Sequence, residues 1–254
     1  MIALLRCAGS GSQETGTDAG MDAGTDAGTV DCVLDPSLTK GPYWVDEHLN
    51  RSDIRADRVG LPLALQFTVY DLSSGACAAF EGAQVDIWHC DAGGTYSDVA
   101  GVSAGQTFLR GYQVTGADGV VKFTTIYPGW YSGRAVHIHV KVRMFDASNN
   151  VTTEATTQVF FDDPITDGVY ANVAPYNSRS SRDTRNPADN IYSGQTVLLL
   201  NLTGNTSTGY SGSIALGVKK GTSSAVKRNS SRRGLRPAPA RWPRSRWRAS
   251  RSAR

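Results

Sequence analysis

The chain has 254 residues and a formal net charge of +3, which conceals a split: residues 1–218 sum to −10 and residues 219–254 to +13. Its apolar runs fall short of the roughly 18–20 residues a spanning helix needs, which excludes a transmembrane helix. The acidic body argues against a polyanion partner, so no nucleic-acid partner is expected.

Residues 1–31 do not read as a domain. Ile2 to Leu5 is an apolar stub before Cys7, shorter than the roughly 7–15 residues of a secretory core. Behind it run three tandem units, Thr17-Asp-Ala-Gly, Met21-Asp-Ala-Gly and Thr25-Asp-Ala-Gly. Such small and acidic residues cannot bury enough surface to offset ordering entropy, so a disordered linker is expected. Stub, cysteine and linker together resemble the start of a bacterial lipoprotein, although Arg6 departs from the small residue usual before a lipidated cysteine. Two readings stay open: an export signal clipped at its start, with a lipid anchor at Cys7, and an ordinary N-terminal extension. We take export as the expectation.

The middle of the chain reads as short strands. Leu63–Asp71, Ala83–His89, Val120–Tyr127, Val136–Met144, Thr156–Phe161, Thr196–Leu202 and Gly212–Val218 are rich in β-branched and apolar residues, several with period two. Asp118-Gly119 is a hairpin signal. No amphipathic helix is evident, and residues 147–155 and 162–195 read as long connections. The expectation is an all-β fold, a sandwich of mostly antiparallel strands over residues 32–218 with disordered tails at both ends.

Three cysteines, Cys32, Cys77 and Cys90, fall within this span. Cys77 and Cys90 flank a short loop and are one candidate disulfide; Cys32 with either is another, and buried free thiols are the third. Residues 219–254 are Arg-rich with Trp242 and Trp247 interspersed. They carry no apolar period, and read either as a polyanion-binding tail or as an extension without a role.

His137 and His139 lie two apart in an expected strand. Side chains at i and i+2 share a face, with Cα atoms about 6.6 Å apart, so two imidazoles can converge on one metal. Tyr131 and Arg134 stand just upstream, and Tyr96 lies in the loop after Ala83–His89.

These residues resemble the intradiol ring-cleaving dioxygenases, the family of catechol and protocatechuate dioxygenases, and within it the secreted single-chain branch. The resemblance runs in family order through Gly41-Pro-Tyr-Trp44, Val85-Asp-Ile-Trp88, Tyr96-Ser97 and Phe108-Leu-Arg-Gly111. It continues through Phe123-Thr-Thr-Ile-Tyr-Pro-Gly-Trp-Tyr131, Arg134-Ala-Val-His-Ile-His139, Thr157-Gln158 and Ile214-Ala-Leu-Gly-Val218. It implies a mononuclear non-haem Fe(III) held by Tyr96, Tyr131, His137 and His139. The donor chemistry agrees: a phenol with a pKa near 10 needs a strong Lewis acid to ionise at neutral pH, and hard Fe(III) prefers anionic oxygen. Zinc sites are usually built from Cys, His and carboxylate.

The resemblance further implies a substrate of the catechol type, cleaved with O2 between its two hydroxyl-bearing carbons to a cis,cis-muconate-type diacid. Tyr131 would leave the metal and take a catechol proton, Arg134 would stabilise negative charge on the ring, and Gln158 would line the same pocket. Tyr127 and His89 are expected to pack rather than bind metal, while Tyr43 and Trp130 stay open between cavity wall and packing. Arg179, Arg182 and Arg185 either receive a ring carboxylate or are solvated. The competing function is a non-catalytic β-sandwich binding module.

Overall fold

The computed structural model describes residues 37–101, 103–192 and 198–221. The N-terminal repeats, Cys7, Cys32 and the stretch from residue 222 onward therefore lie outside the described residues. So does the unit 225–254, the second of two into which the chain divides.

Two sheets face each other. The five-stranded sheet is built around β1 (Pro62–Asp71), whose residues 63, 65, 67 and 69 are buried in strict alternation, as a strand with one core face requires. Along one side β1 pairs antiparallel with β5 (Val120–Ile126), and at its end with the two-residue β2 (Ala78–Ala79). Along its other side it pairs parallel with β9 (Gly209–Val218), which pairs antiparallel with β8 (Asn201–Asn205). The four-stranded sheet runs β4 (Arg110–Val114), β3 (Gln84–Trp88), β6 (His137–Phe145), β7 (Val151–Phe160), antiparallel throughout.

Between the sheets lies one hydrophobic core. Leu63, Leu65, Phe67 and Val69 of β1 meet Val85 and Ile87 of β3 and Ile138, Val140 and Val142 of β6. The period of two then forces the alternate residues of the second sheet outward. Asp86, Trp88, His137, His139, Lys141 and Arg143 are nonetheless buried, because the segment around Tyr43–Asp46 covers that outer face. Trp44 packs on Trp88 at 4.6 Å between ring centres, the Lys141 ammonium lies 4.5 Å over the Trp44 ring, and Arg143 pairs with both Asp46 and Asp86. The outer face is thus a second, polar interior, and the site stands in it.

Several expectations are corrected. Asp118-Gly119 does form a turn, closed by Gly119 N–H donating to Gly116 O at 2.9 Å with Gly119 at φ +72°. It is not a hairpin, because β4 belongs to one sheet and β5 to the other. The connection 147–155 is shorter than expected: Asp146 accepts from the N–H groups of Ser148 and Asn150, and β7 begins at Val151. The span 162–195 holds helix α1 (Asp163–Asn172), with Pro164 in its first turn. Its buried residues are only Thr166 and Val169, too few to mark a period. β4 passes unnoticed in the sequence because Gly111 sits in it; a Cβ there would lie 2.7 Å from Ile54 and 3.2 Å from the Arg51 carbonyl. The last hairpin is shifted: β8 starts at Asn201, and residues 193–197 lie outside the described residues.

The Cys77–Cys90 pairing is excluded. Cys90 is a buried free thiol that donates to Gly129 O at 3.3 Å. Cys77 is disulfide-bonded, with its partner outside the described residues. At the other end, Lys220 is still tied to the body, its ammonium 2.8 Å from Asp71, and Gly221 N–H donates to Thr153 Oγ1 at 3.0 Å. Among the described residues no helix is long and apolar enough to cross a membrane.

Candidate metal centre

The second sheet carries the site on a single cross-strand row. Register places Arg110 opposite Trp88, Trp88 opposite His139, and His139 opposite Gln158. Directly opposite residues of antiparallel strands share a face, so one row spans all four strands. The Trp88 ring lies flat on the His139 imidazole, 4.7 Å away and inclined by 4°. His137, two residues earlier on β6, shares that face.

The two tyrosines come from loops at the same end of the sheet. Tyr96 follows β3 through a tight turn in which Asp91 Oδ1 accepts from the N–H groups of Gly93 and Thr95. Arg110 then clamps the next residue, donating to Ser97 Oγ at 2.7 Å and Ser97 O at 2.6 Å, and a third donation reaches Tyr43 O at 2.7 Å. Tyr131 follows β5 through Pro128-Gly129-Trp130. The two loops interlock backbone on backbone. A Cβ on Gly129 would lie 2.2 Å from Asp91 O, and one on Gly94, at φ +87°, would lie 2.2 Å from Trp130 O.

The outcome is convergence on His137 Nε2. It lies 3.2 Å from His139 Nε2, 3.2 Å from the Tyr131 hydroxyl, 3.5 Å from the Tyr96 hydroxyl and 3.4 Å from Arg134 Nη1. His137 Nδ1 donates to Ala135 O at 2.7 Å, so its Nε2 presents a lone pair to this centre. Among the described residues His139 Nδ1 is buried without a hydrogen-bond partner. Burial, and next the Arg134 guanidinium, push the His137 imidazole down to about 3; burial and then His137 hold His139 well below its ordinary value. Burial also raises both phenols, Tyr96 well above its usual range. Two neutral imidazoles and two phenols that cannot ionise unaided make a donor set that a strongly Lewis-acidic cation would satisfy. Among the described residues no three His, Cys, Asp or Glu side chains gather as a site of the usual zinc kind.

Arg134 is held on two sides and open on the third. Nε donates to Asp189 Oδ2 at 2.9 Å and Nη2 to Gln158 Oε1 at 2.5 Å, while Nη1 lies 3.5 Å from the Tyr131 hydroxyl. Gln158 Nε2 in turn donates to Thr39 O at 3.2 Å. Tyr43 stacks on Tyr96 at 4.4 Å and meets Tyr131 edge-on, so it packs against both tyrosines.

The Dioxygenase family model (Dioxygenase_C) matches residues 38–174, more than half of the chain, and every residue of this convergent set lies in that span. The chain belongs to the intradiol ring-cleaving dioxygenase family. Its structure is similar to an intradiol ring-cleavage dioxygenase of Tetranychus urticae, at 32% identity and a TM-score of 0.66 over 74% of this chain and 95% of that one. It is also similar to the dioxygenase domain of a dioxygenase carbohydrate-binding protein fusion from Streptomyces sp. SirexAA-E, at 27% identity and a TM-score of 0.53, covering 74% and 99%. In sequence it is 30% identical over 143 residues to catechol 1,2-dioxygenase 1 of Acinetobacter lwoffii, covering 47% of this chain and 45% of that protein. The chain thus spans about half the length of that curated relative.

Other residues of this dioxygenase-family chain fall outside the convergent set. Tyr127 is fully buried, its hydroxyl 2.8 Å from Thr166 Oγ1. Trp130 turns to Arg179, whose guanidinium lies 4.6 Å over its ring. The loop arginines do not offer a free cluster: Arg182 is buried between Asp163 and Asp167, and Arg185 pairs with Asp167. Sequence reasoning missed Arg110 and Asp189. Arg110 stood in a quoted motif, and a strand assignment for β4 would have put it on the His139 row. Asp189 sits in an Asn-Pro-Ala-Asp-Asn stretch with no period to mark it.

His89 is fully buried with both nitrogens occupied, Nδ1 donating to Cys90 O at 2.8 Å and Nε2 2.7 Å from Thr125 Oγ1. Burial pushes its pKa down from 6.5 to about 4. The folded state therefore prefers the neutral ring. Its contribution is fully present above pH 6.5 and is lost as pH falls from 6.5 towards 4, by about 3 kcal/mol in all. Urea unfolding across that window should show the loss, and His89→Gln should reduce the slope by one proton. A slope unchanged in the variant would contradict it.

Proposed function

We propose that the chain is a non-haem Fe(III) intradiol dioxygenase acting on a catechol-type substrate and O2 to give a cis,cis-muconate-type diacid. The observation that carries this is the gathering of Tyr96, Tyr131, His137 and His139 about one point with Arg134 Nη1 beside them. Those four side chains would hold the metal. When bound, Fe(III) supplies Lewis acidity toward a catecholate and a route for the ring's electrons to O2.

The chain's own residues do the rest. Tyr131 is half-buried whereas Tyr96 is buried. Tyr131 is therefore the phenol with room to swing away, and its oxygen, raised in basicity by burial, holds a proton taken from the substrate. Arg134 Nη1, fixed from behind, faces the charge that develops on the ring. Gln158 keeps the guanidinium in plane, and Tyr43 excludes water on one side. Arg182 and Arg185 are committed to Asp163 and Asp167, which favours a catechol without a ring carboxylate. Export with a lipid on Cys7 belongs to the same proposal, and mass spectrometry of the native protein tests it.

Iron loading tests the core of the reading. The ferric protein should develop a visible tyrosinate-to-metal band that shifts on adding catechol, and should consume O2 with catechol more readily than with protocatechuate. A protein that stays colourless and inactive after loading would sink the proposal and favour a binding module.

A further inference from the structure

Asp189 is a carboxylate with no exposed surface, and four N–H donors address it. Oδ2 accepts from Arg134 Nε at 2.9 Å and from the Ala135 backbone at 2.8 Å. Oδ1 accepts from the backbones of Ile191 at 2.7 Å and Tyr192 at 3.3 Å. The anion's own orientation is therefore set before it meets the arginine. Its grip on Ala135 is also a grip on a ligand candidate, since the Ala135 carbonyl accepts from His137 Nδ1. Asp189 lies beyond residues 38–174, outside the span matched by the family model.

We propose that Asp189 is a positioning residue of the site: from behind, it fixes the guanidinium plane of Arg134 and anchors Ala135, the residue whose carbonyl orients His137. This rests on the ring-cleaving reading for its catalytic consequence. Of the three nitrogens of Arg134, Asp189 takes one and Gln158 another, so Nη1 alone faces the site. A buried ion pair fixed by further hydrogen bonds suits such a role better than a stabilising one, because desolvation offsets much of its attraction.

The test compares wild type, Asp189→Asn, Arg134→Gln and the double variant, all iron-loaded and checked for folding by near-ultraviolet circular dichroism. Misplacement of the charge-stabilising group should lower kcat by about 10²-fold in Asp189→Asn, with KM changed much less. In the Arg134→Gln background the same change should cost much less, because the larger share of the effect of Asp189 passes through Arg134. A folded Asp189→Asn with kcat within twofold of wild type, or a full additional loss in the double variant, overturns the proposal.

A second readout needs no turnover. The Arg134 Nε–H resonance, assigned by its absence in Arg134→Gln, should exchange slowly with solvent in wild type and rapidly in Asp189→Asn. If wild type turns over no catechol, the function reading fails by itself and this comparison still decides the link. If Asp189→Asn does not fold, the wild-type signal decides: slow exchange supports the link, and exchange as fast as that of the exposed Arg55 overturns it.

Discussion

Tyr131→Phe should lower kcat by about 10²–10⁴-fold, the range for losing a positioned acid–base group, while leaving the fold intact. The change removes one oxygen and keeps the ring that packs edge-on against Tyr43 and Tyr96. That oxygen's neighbours are His137 Nε2 at 3.2 Å and Arg134 Nη1 at 3.5 Å, both members of the site rather than of the surrounding framework. Its loss therefore falls on chemistry and not on packing. Oxygen uptake and the visible spectrum of the iron-loaded protein check it together. Turnover within tenfold of wild type, or an unaltered band, would refute the assignment of Tyr131 as donor and proton acceptor.

Gly129→Ala should damage both stability and the site. The added methyl carbon would stand 2.2 Å from Asp91 O and 2.7 Å from Ala92 O. Both atoms are backbone, so no rotamer change relieves the clash and the two tyrosine-bearing loops must part. Overpacking of this kind typically costs about 1–3 kcal/mol. The separation would also move Tyr131 from Tyr96, so metal binding should weaken along with the urea midpoint. Gly168→Ala in α1 is the control, since a Cβ there meets nothing within 4 Å. It should be neutral or stabilising by about 0.5–1 kcal/mol. Equal midpoints for the two variants would show that the loops do not interlock as described.

β1 was legible because the period of two shows openly in it, as Leu63, Leu65, Phe67 and Val69 on its one buried face. The His137–His139 pair was legible for the same reason, as a spacing of two on a strand names a face. What escaped depends on partners remote in sequence. Trp88, His139 and Gln158 are neighbours only through strand register, and Asp189 meets Arg134 only because the segment after α1 returns to the site. The helix was hidden because two buried residues in ten do not make a stripe. The Asp118-Gly119 turn was readable as a turn, but which sheets it joins is a property of the whole fold.

The parallel pairing of β1 with β9 has a consequence for the order of assembly. Leu63 pairs with Tyr210 and Asp71 with Val218, so the larger sheet has its centre near one end of the domain and that strand's partner near the other. A chain emerging from the ribosome cannot complete that sheet until residue 218 is available. The smaller sheet draws all its strands from residues 84–160. The histidine platform can close while the surface that will cover its core face is still being made. Until β9 arrives, the apolar side of Ile138, Val140 and Val142 has only part of its cover. This nascent stage is the one most exposed to misassociation.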